Sequence, residues 1–313
     1  MQAWLFTGAH EPLRLIECEH PRPAAGEVLI AVRGSGLCHS DVGRMNGTLT
    51  PYMPKKPPII LGHELAGDVV AVGDGVTTFR PGDRVVASGT LAFCLGRDAD
   101  GAYATHCLLP AHCLLTLPEA VSYVQGAAAT DAGQTSHHAV MVAGELKARQ
   151  RVGIVGLGGL GMTGARIAVV NGAEVYGVEP RREAWATARA QGVREVVEQV
   201  AQLAPLALDL IVDFAGYGDT TGAAIAAVRP GGLVVQVGLG ETDAVISRMQ
   251  LIARSVTLRG SGGGTPDDTA AVLRMMAAGQ LEIAASTIAF ADIPAGLDRL
   301  ARGGVVGRIV AEL

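Results

Sequence analysis

Apolar residues in the first part of the chain fall in short runs broken by glycine and proline, the pattern of a mostly β domain. Glu27-Val-Leu-Ile-Ala-Val-Arg33, approached through Pro21-Arg-Pro23, is one such run, and Met1-Gln-Ala-Trp-Leu-Phe-Thr-Gly8 begins as another. The pattern holds to about Asp131 and then changes. Arg151-Val-Gly-Ile-Val155 reads as a buried strand, an Ala-rich helix follows through Val170, and 173–179 reads as the next strand. Further apolar strands are expected over 208–214 and 233–237. Strand, helix and strand in alternation argue for a parallel sheet wound on both faces. After about Gly264 a helix over 267–278 and strands over 283–290 and 308–311 are expected. The fold class is therefore α/β, a mostly β domain combined with a doubly wound parallel sheet.

A chain of 313 residues can bury two cores, and with aromatics at 4% these must be built from Ala, Val, Leu and Ile. The net charge is -5 and no basic run is long enough to track a phosphate backbone, which excludes nucleic acid as a partner. The N-terminus lacks the charged and apolar regions of a signal peptide, and no apolar stretch is long enough to span a membrane. Five cysteines are expected to be reduced thiols of a cytoplasmic protein.

Two motifs carry chemistry. Gly36-Leu-Cys-His-Ser-Asp41 and Gly62-His63-Glu64 supply a thiol, an imidazole and carboxylates, donors that bind Zn²⁺ while leaving a coordination position for substrate. Gly156-Leu-Gly-Gly-Leu-Gly161 follows a strand and opens a helix, the setting in which a glycine loop receives a pyrophosphate. Gly156, Gly158 and Gly161 fit the tight turn, the close approach and the helix packing, with Gly159 and Leu160 between them. Glu179, at the end of the next strand, is expected to bind the ribose hydroxyls and to favour NAD, although Arg181 or Arg182 could hold a 2'-phosphate. Asp41 is expected to accept the second ring hydrogen of His63, and Ser40 to take up a substrate proton. His106-Cys107-Leu-Leu-Pro-Ala-His112-Cys113 also suggests a metal motif, but neighbours on a strand face opposite ways, so a structural role is expected.

These motifs, with Ala66-Gly-Asp-Val-Val-Ala-Val-Gly73, Phe79-Arg-Pro-Gly-Asp-Arg-Val85 and Gly307-Arg-Ile-Val310, resemble the zinc-dependent alcohol dehydrogenases of the medium-chain dehydrogenase/reductase family, over nearly the whole chain. The resemblance implies a GroES-like catalytic domain of residues 1–131 and 264–313 and a Rossmann NAD-binding domain of residues 132–263. It implies one catalytic Zn²⁺ held by Cys38, His63 and Asp131, the last standing where the family usually has a cysteine. An Asp opening a helix could instead be a cap. Glu64 becomes a second-sphere or transient ligand, and zinc would polarise an alcohol oxygen. His39 and Arg308 are implied at the pyrophosphate and Thr135 near the nicotinamide, while the Val237-Gly238 turn could meet the carboxamide through its backbone. Gly43 replaces a histidine of the usual proton relay. The four-cysteine structural-zinc lobe is expected to be missing, since 88–100 holds only Cys94. The implied reaction is reversible NAD-linked oxidation of an alcohol, expected to be secondary, to a ketone or aldehyde. The implied partners are a small-molecule alcohol or carbonyl and further copies of the chain, as a homodimer paired through a strand near 255–259 or a homotetramer. A zinc-free NAD(P)H enone or quinone reductase, or a non-catalytic dinucleotide-binding redox sensor, would be the alternatives.

Overall fold

The computed structural model describes residues 1–90 and 92–313. The chain divides into two compact units, one of Met1–Asp131, Thr265–Gly279 and Ala285–Leu313, the other of Ala132–Gly264 and Gln280–Ala284.

The spine of the first unit is the strand Glu27–Leu37, which is mostly buried. It pairs antiparallel with Glu64–Val72 along one edge. Its other edge takes His106–Pro110 at the beginning and Arg308–Glu312 at the end. Two register shifts, at Leu29/Ile30 and Val32/Gly34, bend the strand. The sheet runs Ala285–Ala289, Arg308–Glu312, Glu27–Leu37, Glu64–Val72, Arg84–Ala87, Leu114–Thr116. Val28, Ile30, Val32, Leu65, Val69 and Val85 form one buried cluster, and Phe6, Leu37, Ile59, Leu61, Leu297 and Ile309 belong to another. The core is mainly aliphatic, as the composition requires, with Phe6 and Tyr103 buried in it.

Helices interrupt what the pattern presents as strands. His39–Met45 opens on a capping box in which the Asp41 carboxylate accepts the Cys38 N–H. The segment is short and Gly43 weakens its helical propensity, so its pattern is faint. Tyr123–Ala128 is capped by Ser122, whose Oγ accepts the Gln125 N–H at 3.2 Å, and continues as a π-helical stretch Ala129–Gly133. Asp131 thus lies inside a helical run that Ser122 caps, which removes the capping alternative for it. The widened turn carries the carboxylate, a use to which π-bulges are often put.

The second unit is a six-stranded sheet with every pairing parallel. In space its order is Glu195–Val197, Glu174–Val178, Arg151–Val155, Leu210–Asp213, Leu233–Gln236, Thr257–Gly260. The order reverses at Arg151–Val155, the topological switch point of a doubly wound Rossmann sheet, beside which dinucleotides bind. Its strands bury Val155, Val178, Ile211 and Val234. Among the described residues no helix is long and apolar enough to cross a membrane.

Candidate metal centre and dinucleotide loop

Three parts of the first unit converge on one point. Cys38 follows the last residue of Glu27–Leu37, His63 precedes Glu64–Val72, and Asp131 comes from the π-helical stretch. Donor atoms of Cys38, His63, Glu64 and Asp131 all lie within 4.8 Å of one another. Cys38 Sγ donates to Asp131 Oδ2 at 3.3 Å, and His63 Nε2 lies 3.7 Å from the same oxygen. The glycines of the motifs make room for this. Gly36 pairs with Glu64 across the ladder, and a Cβ on it would sit 2.1 Å from Glu64 Oε2. Gly62, at φ 91°, turns the chain into His63 against Tyr103.

Asp41, fully buried, orients the imidazole from behind. Its Oδ1 lies 3.5 Å from His63 Nδ1 and accepts Arg44 Nη1 at 2.7 Å, and its Oδ2 accepts Tyr103 Oη at 2.8 Å. Burial pushes this carboxyl up, but the charges of His63 and Arg44 and the hydrogen bonds of His63 and Tyr103 outweigh it and hold the pKa below the usual range. Burial opposes protonation of His63, yet Asp41 and Asp131 raise its pKa well above the ordinary value. Arg44 and Tyr103 were not singled out in the sequence. The i to i+3 spacing of Asp41 and Arg44 on a helix was the available local signal.

Arg308 stands beside the same centre. Placed at the pyrophosphate by the resemblance, it is only 4% exposed, and its Nε donates to Glu64 Oε1 and Oε2 at 3.0 and 3.1 Å. Its Nη2 contacts both Glu64 and Asp131. The cause is local: Arg308 starts the last strand, whose next residue pairs with Leu37, so the guanidinium enters beside the buried Glu64 carboxylate and the partly exposed one of Asp131. Burial drives the Glu64 carboxyl up to about 7, with Arg308 pulling the other way and Asp131 adding to the rise. Burial also raises the pKa of Asp131, but Arg308, His63 and Cys38 bring it below the usual range.

The donor set fits Zn²⁺. Thiolate, imidazole and carboxylate are its usual ligands, and a thiolate with one carboxylate balances the dication. Arg308 adds positive charge beside these donors. Ser40 lies half-buried on His39–Met45 next to exposed His39. In the second motif, Cys107 is buried, its Sγ donates to Asp100 O, and burial pushes its thiol up to about 12. His106 stacks edge-on against His20.

In the second unit, Gly156 takes φ 82° directly after Arg151–Val155, and Gly158 precedes the helix Gly159–Val170. A Cβ on Gly161 would lie 1.8 Å from Gly156 O, whereas one on Gly158 would meet nothing within 4 Å. The loop is thus tight where it turns and open where a phosphate would approach. Leu160 O accepts Ser136 Oγ at 2.7 Å. Glu179, nearly fully buried, accepts the Leu157 N–H at 3.0 Å and Arg181 Nε at 2.9 Å. Arg181, considered for a 2'-phosphate, is therefore engaged by Glu179. Thr135 is buried in Gln134–His137. The Val237-Gly238 turn is closed on itself: both N–H groups donate to Asp213 O, and Gly238 O accepts Gln236 Nε2.

Residues 24–119 match the family model described as Alcohol dehydrogenase GroES-like domain, and residues 159–278 match Zinc-binding dehydrogenase. An alcohol dehydrogenase of Geobacillus stearothermophilus is 30% identical, covering 100% of both chains. An NAD-dependent alcohol dehydrogenase of Sulfurisphaera tokodaii is 28% identical over 99% of each. Among solved structures, acetophenone reductase from Geotrichum candidum in complex with NAD is similar at a TM-score of 0.92, with 28% identity over 100% of this chain and 97% of that one. The 2R,3R-butanediol dehydrogenase of Bacillus subtilis follows the chain at a TM-score of 0.87, with 25% identity over 100% of this chain and 99% of its own. Sequence, sheet order and metal-ligand geometry agree, and the chain belongs to the zinc-binding alcohol dehydrogenases of the medium-chain dehydrogenase/reductase family.

Proposed function

We propose that the protein catalyses reversible NAD-linked oxidation of an alcohol to a ketone or aldehyde with one zinc ion per chain. The observation that carries this is the convergence of Cys38, His63, Asp131 and Glu64 within 4.8 Å. Cys38, His63 and Asp131 hold the ion, which when bound acts as a Lewis acid on the alcohol oxygen. Asp41 fixes the His63 ring, with Arg44 and Tyr103 fixing Asp41 in turn. Ser40 takes the alcohol proton, its hydroxyl being able to accept and donate at once. With Gly43 in place of a histidine, the proton leaves through water or the cofactor ribose.

Gly156, Gly158, Gly159, Leu160 and Gly161 receive the pyrophosphate. Glu179 selects NAD by repelling a 2'-phosphate, and Thr135 lies by the nicotinamide. A secondary alcohol is the favoured substrate: two similar structures are an acetophenone reductase and a butanediol dehydrogenase, whose named substrates carry a ketone or secondary hydroxyls. The four-cysteine structural-zinc lobe is read as missing, since residues 88–100 hold only Cys94. The five free thiols suit a reducing cytoplasm. Two copies pair through the edge strand Thr257–Gly260; Val245, Met249 and Ile252, shortly before it in sequence, are 91%, 74% and 78% exposed.

Elemental analysis of untagged protein, with NADH formation followed across primary and secondary alcohols, tests the reading. Zinc near one per chain and alcohol-dependent NADH are expected. Zinc-replete protein that makes no NADH from any alcohol but oxidises NAD(P)H with enones refutes it.

A further inference from the structure

Polar side chains at the carboxyl end of the parallel sheet are bonded within the fold. The Asp213 carboxylate accepts the Ala215 and Gly216 N–H groups and the Thr220 hydroxyl. Gln236 accepts the Thr221 hydroxyl at 2.8 Å and donates Nε2 to Gly238 O at 2.8 Å. Ser261, directly after the strand Thr257–Gly260, is the exception. It is 8% exposed, yet its Oγ has no hydrogen-bond partner among the described residues, and in the second unit no other buried side-chain oxygen or nitrogen among them shares that condition. A buried hydroxyl is costly to leave unpaired, so this one calls for a partner from outside the chain.

Sheet order says which part of a dinucleotide lies near it. The glycine loop and Glu179 follow Arg151–Val155 and Glu174–Val178, so the adenosine half lies to that side, and the nicotinamide half falls over the carboxyl ends of Leu210–Asp213, Leu233–Gln236 and Thr257–Gly260. The Ser261 N–H donates to Gln236 O at 2.8 Å, which fixes its backbone at that end. Alternation puts its side chain on the face of Arg259, whose Nη1 donates to Ala143 O at 2.6 Å. Ser136 Oγ meets Leu160 O of the glycine loop, and a Cβ on Gly144 would lie 2.9 Å from Leu210 at the start of its strand. The helical run 134–143 therefore descends from the carboxyl end, and Ser261 stands two residues nearer than Arg259 to the end that carries Thr135. We propose, on the NAD reading above, that the Ser261 hydroxyl is a cofactor contact that hydrogen-bonds the nicotinamide carboxamide and so fixes the rotation of the ring. A hydroxyl suits that group, because it can donate to the amide oxygen or accept from the amide N–H.

Ser261→Ala and Ser261→Cys are compared with wild type by fluorescence titration of NADH, by calorimetric titration of ADP-ribose, which lacks the nicotinamide, and by thermal denaturation without cofactor. NADH affinity should fall by about two- to tenfold in Ser261→Ala, the scale of one neutral hydrogen bond. Ser261→Cys should fall with it, because a thiol keeps the volume but is a weak partner. ADP-ribose affinity should stay at the wild-type value. The melting temperature should stay level or rise, since a buried unpaired hydroxyl has been removed. A hydroxyl that only supports the fold would instead lower the melting temperature and weaken both ligands together, and that result overturns the contact. Unchanged NADH affinity in Ser261→Ala, with wild type binding both ligands, overturns the contact and leaves the NAD reading standing. Wild type that binds neither ligand overturns both.

Discussion

Asp131→Asn separates two roles of one carboxylate, metal ligand and partner of Arg308. The substitution keeps shape and an acceptor oxygen but removes the charge. In metal-free protein, Arg308 retains Glu64 and loses one charge-assisted contact, a change of about 1.5–3 kcal/mol when nothing replaces it. The Asn oxygen recovers part of this. With about 2–4 °C per kcal/mol for a unit of this size, the melting temperature should fall by several degrees, leaving the fold intact. Zinc affinity should fall far more. Loss of an outer partner of a metal ligand already costs about 10–100-fold, and Asp131 would be a direct ligand, so the loss should exceed about 100-fold. Chelator competition gives the affinity, steady-state alcohol oxidation the turnover, and calorimetry of chelated protein the stability. Asp131→Cys should keep the metal, with turnover shifted by the longer bonds to sulfur. Full zinc occupancy and undiminished turnover in Asp131→Asn, with the metal-free protein destabilised, would refute the ligand assignment and leave Asp131 as an ion-pair partner only.

Glu179→Ala removes the repulsion of a 2'-phosphate and frees Arg181, so kcat/KM with NADP⁺ relative to NAD⁺ should rise by about tenfold or more, or roughly 1.4 kcal/mol; an unchanged ratio would mean that Glu179 does not read the ribose. Burial opposes ionisation of Glu179, but Arg181 and the Leu157 N–H lower its pKa below 4.5, so its stabilising contribution is present above pH 4.5 and is lost as pH falls through the depressed value. Denaturant titrations of Glu179→Gln across that acid window should show a flatter stability profile than wild type. Met249→Glu with Ile252→Glu should convert a dimer to monomer by sedimentation, since both side chains are exposed on the helix Arg248–Arg254 that leads into the edge strand; an unchanged mass would place the interface elsewhere.

Features set by neighbours in the chain were legible in the sequence. Gly156 must turn at φ 82° and Gly161 must clear the Gly156 carbonyl five residues away, so the glycine spacing is itself the constraint. The alternation of strands and helices beyond Arg151 likewise announced a parallel sheet, because its central strands are buried on both faces. Cys38, His63 and Glu64 stood in short motifs whose donor chemistry could be read without a fold. Arg308 could not be read so. It lies 244 residues from Glu64, and the two meet because strands far apart in sequence take adjoining places beside Glu27–Leu37. Tyr103 reaches Asp41 over 62 residues in the same way. Asp131 carried a suggestive residue type, but whether it capped a helix or entered the centre depended on Ser122 starting the helix earlier and on a π turn widening it. The sequence determined which side chains could bind a metal and a phosphate, because that chemistry resides in the residue. Tertiary structure alone decided which buried charges face each other, because strand register and helix phase set distances that no local pattern contains.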